Sequence, residues 1–172
     1  MIVTIMNPVF IDRDDELDLI TKLTDKETAS LVLLYGRRRI GKTRLIQEII
    51  KNNGIYFYTP NSEEKTILTE YSKTIEHEYF QGFQFTNFDA FLNYLDTKLQ
   101  SKTIITIDEF QYLGESAKDI RAVASELNAA WEAHRPPRPL VFVIAGSAVG
   151  TLESLFKLGK SSSSDLVVGG LR

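Results

Sequence analysis

The stretch Leu31-Val32-Leu33-Leu34-Tyr35-Gly36-Arg37-Arg38-Arg39-Ile40-Gly41-Lys42-Thr43 decides the fold. Its first five residues are apolar without a break, the pattern of a strand buried on both faces. From Gly36 to Thr43 the sequence satisfies G-x-x-x-x-G-K-[ST] at every fixed position. A helical pattern then covers Lys42–Lys51. Strand, glycine-bounded loop and helix in this order cradle a phosphate. Successive backbone N–H groups turn inward, glycine accepts the dihedrals this needs, and the helix adds unpaired N–H groups and the positive end of its dipole. The motif assigns the Lys42 ammonium to the β- and γ-phosphates of a nucleotide and the Thr43 hydroxyl to Mg2+. Gly36, Arg37, Arg38, Arg39, Ile40, Gly41, Lys42, Thr43 and the following Arg44 are therefore the expected nucleotide-binding residues. Arg37 and Arg39 read as solvent-facing charge that favours an anion only in a general way.

Three more short apolar runs lie downstream, Ile55–Tyr58, Thr103–Ile107 and Leu140–Ala145. They too are continuous rather than alternating. Helical stripes separate them: Phe88, Phe91, Leu92, Leu95 and Leu99 form one, and Ile120, Val123, Ala124, Leu127, Ala130 and Trp131 another. A weaker pattern covers Glu64–Glu78, and Leu17, Ile20 and Leu23 mark a first helix that Asp12 is placed to cap. Strands alternating with helices predict an α/β domain, a parallel sheet between two helical layers. Arg135–Pro139 is a stiff connector that ends the Trp131 helix. The domain is expected over residues 1–160, and 161–172, which open on four serines, read as a poorly ordered or truncated tail.

The run Thr103–Ile107 delivers two carboxylates, Asp108 and Glu109, at a strand's C-terminal end, where open α/β sheets bind ligands. Asp108 is the candidate for Mg2+, through a water or through the Thr43 hydroxyl. Glu109 is the candidate to polarise the attacking water, because alternate side chains leave a strand end in different directions. Ser147 follows the last apolar run and offers a hydroxyl either to the γ-phosphate and water or to a helix N-terminus as its cap. Lys42, Glu109 and Ser147 make up the catalytic set.

Composition narrows the class. Apolar residues make up 43% and charged residues 25%, the balance of a globular chain, and the net charge of −3 argues against a strongly basic nucleic-acid binder. Cysteine is absent, which excludes disulfides, thiolate metal sites and cysteine nucleophiles. No apolar run approaches the ~20 residues of a membrane span, and Met1–Pro8 lacks the features of a signal peptide. A cytoplasmic protein without a membrane partner is expected. His77 and His134 stand alone, without metal-ligand spacing. No [NT]-K-x-D guanine-reading motif follows the loop, so ATP is preferred to GTP.

With these elements in order, the chain resembles the archaeal ATPase family, a branch of the P-loop NTPases related to AAA+ and STAND proteins. The resemblance covers nearly all of Phe10–Lys160. It rests on Phe10-Ile11-Asp12-Arg13-Asp14-Asp15-Glu16-Leu17, on the arginine-rich loop, and on Ile107-Asp108-Glu109-Phe110-Gln111-Tyr112-Leu113, similar to the family's Walker B segment. Glu126–Trp131 and Ile144-Ala145-Gly146-Ser147 complete it. The resemblance implies an adenine pocket near Phe10 and Ile11, a sensor position at Ser147, and a structural or phosphate-binding role for Arg38. It implies a sheet of order 5-1-4-3-2, in which only the very short Asp165–Val168 is available as strand five. The strand that carries the phosphate loop is then expected at an open sheet edge, inviting self-association. After about Lys160 the chain departs from the family pattern. The expected activity is ATP hydrolysis with Mg2+ that drives conformational change. Its rivals are a STAND-like nucleotide switch with negligible turnover, and a DNA-associated AAA+ accessory whose DNA contacts lie outside this chain.

Overall fold

The computed structural model describes residues 13–51, 54–74, 87, 90–91, 93–94, 97, 103–113, 120–126, 129, 140–147 and 166–170. Phe10, Ile11, Asp12, Trp131, His77 and His134 lie outside them, so the adenine pocket, the Asp12 cap and the isolated histidines do too.

The elements run α1 (Asp14–Thr24), β1 (Ser30–Tyr35), α2 (Lys42–Ile50), β2 (Gly54–Tyr58), α3 (Glu64–Thr74), β3 (Thr103–Asp108), a 3-10 turn (Phe110–Leu113), β4 (Leu140–Gly146) and β5 (Leu166–Gly170). Residues 120–126 are also helical. The four strands expected from apolar runs are present, each longer by a residue at one end or the other. All ladders are parallel, in the order β2-β3-β4-β1-β5, which is 5-1-4-3-2 read from the other edge.

Alternation along each strand divides the core into two layers. Leu31, Leu33, Phe57, Ile105, Ile107, Phe142 and Ile144 point to one face, where they pack with Ile67, Leu68 and Tyr71 of α3, Phe91, Ile120 and Ala124. Val32, Leu34, Ile104, Val141, Val143 and Ala145 point to the other, against Ile20 and Leu23 of α1 and Leu45 and Ile46 of α2. Phe57, Tyr71 and Phe91 form an aromatic triad with centroids 4.9–5.6 Å apart, spacing at which tilted and edge-to-face rings attract. Such burial, at about 1.5–3 kcal/mol per large apolar side chain, is what holds the layers together.

Two expectations are corrected at the C-terminus. Leu166–Gly170 is a strand, paired with β1 from Leu31↔Leu166 to Tyr35↔Gly170. The stretch 161–172 is therefore not all tail. Nor is β1 an open edge: it lies between β4 and β5. The physical reason is that β1, apolar on both faces, gains from pairing both rows of backbone donors and acceptors. Gly169 and Gly170 serve because a ladder needs backbone, not side chains.

Candidate functional site

Parallel strands bring their C-terminal ends to one edge, so Gly36 after β1, Asp108 at the end of β3 and Ser147 after β4 stand side by side. Asp108 shares its parity with Ile104 and Thr106, which turns it to the face covered by α2. Thr43, in the first turn of α2, meets it there.

The loop from Gly36 to Gly41 reaches α2 through two left-handed residues, Arg39 at φ 68° and Gly41 at φ 89°. Gly41 is the N-cap of α2, with open space where a Cβ would stand. Its carbonyl accepts the first helical bond, from Leu45 N–H at 2.9 Å. Lys42 is buried, and its Nζ donates to the carbonyls of Gly36 at 2.8 Å and Arg37 at 2.9 Å. Burial lowers its pKa, the carboxylates of Glu109 and Asp108 draw it partly back up, and the Arg38 charge lowers it further.

Asp108 is 1% exposed, and its carboxylate accepts from three donors among the described residues. Thr43 Oγ1 donates to Oδ2 at 3.0 Å, Tyr56 Oη to Oδ2 at 2.9 Å, and the Glu109 N–H to Oδ1 at 2.8 Å. Hydrogen bonds of this kind offset the cost of taking a carboxylate out of water. Burial, the charge of Asp108 and this bond all raise the Tyr56 pKa well above its ordinary value, so the phenol remains a donor. A hydroxyl and a carboxylate oxygen within 3.0 Å of each other, beside a loop that carries an ammonium, form an all-oxygen donor set of the type Mg2+ prefers.

Glu109 has φ 57°, a left-handed conformation that costs a residue with a Cβ roughly 1–2 kcal/mol. Its carbonyl accepts the Tyr112 N–H at 3.0 Å, which closes the 3-10 turn. That turn carries Gln111 back over the Glu109 carboxylate. Gln111 Nε2 donates to Glu109 Oε2 and, at 3.1 Å, to Ser147 Oγ, while the Ser147 N–H donates to Gln111 Oε1 at 3.2 Å. Ser147 Oγ stands 3.4 Å from Glu109 Oε2.

Lys42, Thr43, Asp108, Glu109 and Ser147 are thus gathered at one edge of the sheet. The other expected residues divide. Arg38 donates to the Tyr112 hydroxyl at 2.6 Å, which ties the loop to the 3-10 turn. Arg37 and Arg39 are exposed. Arg44 turns along α2 to pair with Glu48 at 3.0 Å instead of facing the loop. Arg13, N-cap of α1, bonds the Ile40 carbonyl at 3.4 Å and so joins the N-terminal segment to the loop. The contacts of Tyr56, Gln111 and Tyr112 were not anticipated. The sequence holds one partial signal: Gln111 and Tyr112 stand within three residues of Glu109, in the quoted segment.

A parallel sheet of this order, with a glycine-bounded loop between its β1 and α2 and a carboxylate ending its β3, defines a P-loop ATPase domain. The chain belongs to the family of ATPase domains found predominantly in Archaea, whose model matches residues 10–165. An uncharacterized protein of Methanocaldococcus jannaschii is 28% identical over 147 residues, 84% of this chain and 31% of that protein. An uncharacterized ATP-binding protein of the same organism is 40% identical over 47 residues, 27% of this chain and 80% of that protein. Among solved structures, a Walker-type ATPase of Pyrococcus abyssi is similar at TM-score 0.65 and 21% identity, over 92% of this chain and 53% of that one. The ORC2 protein of Aeropyrum pernix, in its ADPNP and ADP complexes, is similar at TM-score 0.65 and 17% identity, over 99% and 50%. The chain therefore spans about a third of the first relative and about half of these two structures. No helix among the described residues is long and apolar enough to cross a membrane.

Proposed function

We propose that this chain binds ATP in the Gly36–Thr43 loop and hydrolyses it to ADP and phosphate. The observation that carries the reading is the meeting of Lys42, Thr43, Asp108 and Glu109 at one edge of the sheet, with Thr43 Oγ1 and Asp108 Oδ2 in contact at 3.0 Å. Lys42 leaves the Gly36 and Arg37 carbonyls for phosphate oxygens, exchanging neutral acceptors for charged ones. Thr43 and Asp108 would hold Mg2+, which when bound neutralises phosphate charge as it develops. Glu109 orients the attacking water and takes its proton, and the Ser147 hydroxyl holds the transferred phosphate group or that water. Hydrolysis drives conformational change.

Calorimetry and phosphate release on the full chain test this together. The expected result is Mg2+-dependent ATP binding with steady phosphate release. Tight binding with no release replaces hydrolysis by a nucleotide switch, and no binding removes the reading altogether.

A further inference from the structure

Gln111 sits outside the set of residues assigned above, yet it touches two of them. We propose that Gln111 is a positioning residue whose side-chain amide fixes the Glu109 carboxylate to the end of β4 at Ser147. The inference rests on the hydrolysis reading for the meaning of Glu109, but not for the existence of the link.

The chemistry of the partners sets the orientation of the amide. A carboxylate oxygen only accepts, so the Gln111 NH2 must face Glu109 Oε2. The Ser147 backbone N–H only donates, so the Gln111 carbonyl must face it. The second amide proton points to Ser147 Oγ at 3.1 Å. One side chain with two donors and an acceptor satisfies all three. Glutamate would set a second negative charge against Glu109, leucine would offer no polar contact, and asparagine is one methylene too short to span both sides.

The backbone makes the link necessary. Glu109 stands at φ 57°, past the last residue of β3, where the ladder no longer directs its side chain. The contacts to its carboxylate oxygen come from Gln111 and, more distantly, from Ser147, and both reach Oε2. Among the described residues Oε1 has no such contact and is the oxygen able to take a proton from water. Gln111 thereby links Ser147, just past the end of β4, to Glu109, just past the end of β3.

Two measurements test this on the full chain. The first is the side-chain amide spectrum of 15N-labelled protein, which needs no turnover. Gln111 is expected to show two inequivalent, hydrogen-bonded protons, and Glu109→Ala is expected to move one toward its free position and leave the other. An amide already at free values, or indifferent to Glu109→Ala, overturns the proposal. The second is Gln111→Leu. ATP affinity is expected to stay within about twofold while turnover falls by about tenfold or more. In the Glu109→Gln background the same substitution is expected to leave the residual rate unchanged, because the group it positions has already lost its chemistry. Equal losses in both backgrounds indicate a general structural defect and overturn the proposal, as does wild-type turnover in Gln111→Leu. A wild-type chain that binds ATP without releasing phosphate counts against hydrolysis, and the amide spectrum then decides on Gln111 by itself.

Discussion

Lys42 carries its positive charge into a buried position, where it donates to the carbonyls of its own loop. Removing the ammonium by Lys42→Ala deletes a charge-assisted contact worth roughly 1.5–3 kcal/mol, so ATP affinity is expected to fall about ten- to a hundredfold in a folded variant. Titration calorimetry reads it directly. The lowered pKa adds a pH dependence whose sign follows from the burial that causes it. In the free protein Lys42 loses its proton at a lower pH than a lysine in the unfolded chain. Folding stability should therefore rise with pH through the interval between those two values, as the penalty for a buried charge is relieved. ATP needs the ammonium, so its affinity should drop as pH rises above the lowered value at which Lys42 of the free protein loses its proton. Lys42→Arg, which stays charged, should flatten the slope. Glu109→Gln keeps the shape and loses the base. It is expected to leave ATP binding intact while turnover falls by about a hundredfold or more in a phosphate-release assay.

Among the elements, β2 makes two contributions that a helix-and-strand diagram does not display. Gly54 opens it where α2 has just ended, and a Cβ there would stand 2.3 Å from Ile50 Cβ. Gly54→Ala should destabilise the chain by about 1–3 kcal/mol, the usual cost of overpacking, visible as a lower urea midpoint with an unchanged slope. Two residues on, Tyr56 sends its hydroxyl to Asp108. Tyr56→Phe leaves a buried carboxylate one donor short and should cost a similar amount. The sequence displayed β2 as an apolar run but not this contact, because the hydroxyl reaches Asp108 only through the β2–β3 register, Tyr56↔Thr106. Legibility followed the same division elsewhere. β1, β3 and β4 are continuous apolar runs because both faces are buried, and the loop announces itself by spacing. Lys42, Thr43 and Asp108 were readable for that reason. β5 was harder, since two of its five residues are glycines with no side chain to form a pattern. Gln111 had no readable role because its placement depends on the left-handed backbone of Glu109, which no local pattern encodes.

For the whole molecule, a ligand that binds only the folded state shifts the unfolding equilibrium by mass action. Saturating Mg-ATP at about a hundredfold above its Kd should add about 2.7 kcal/mol and raise the melting temperature, with Lys42→Ala showing a much smaller rise. Deleting residues 161–172 removes β5 and strips one side of β1 of its ladder. The deleted chain should self-associate in light scattering where the full chain does not, since an unpaired apolar strand is a template for another.

The pairing of β5 with β1 also orders events during synthesis. Leu31 is made well before its partner Leu166, at about 5–20 residues per second. Until β5 leaves the ribosome, the strand that leads into the phosphate loop has one neighbour instead of two. Its nascent form is a half-finished sheet, with one row of β1 backbone groups open to pairing with another chain. The strand before the loop gains its second neighbour only with β5.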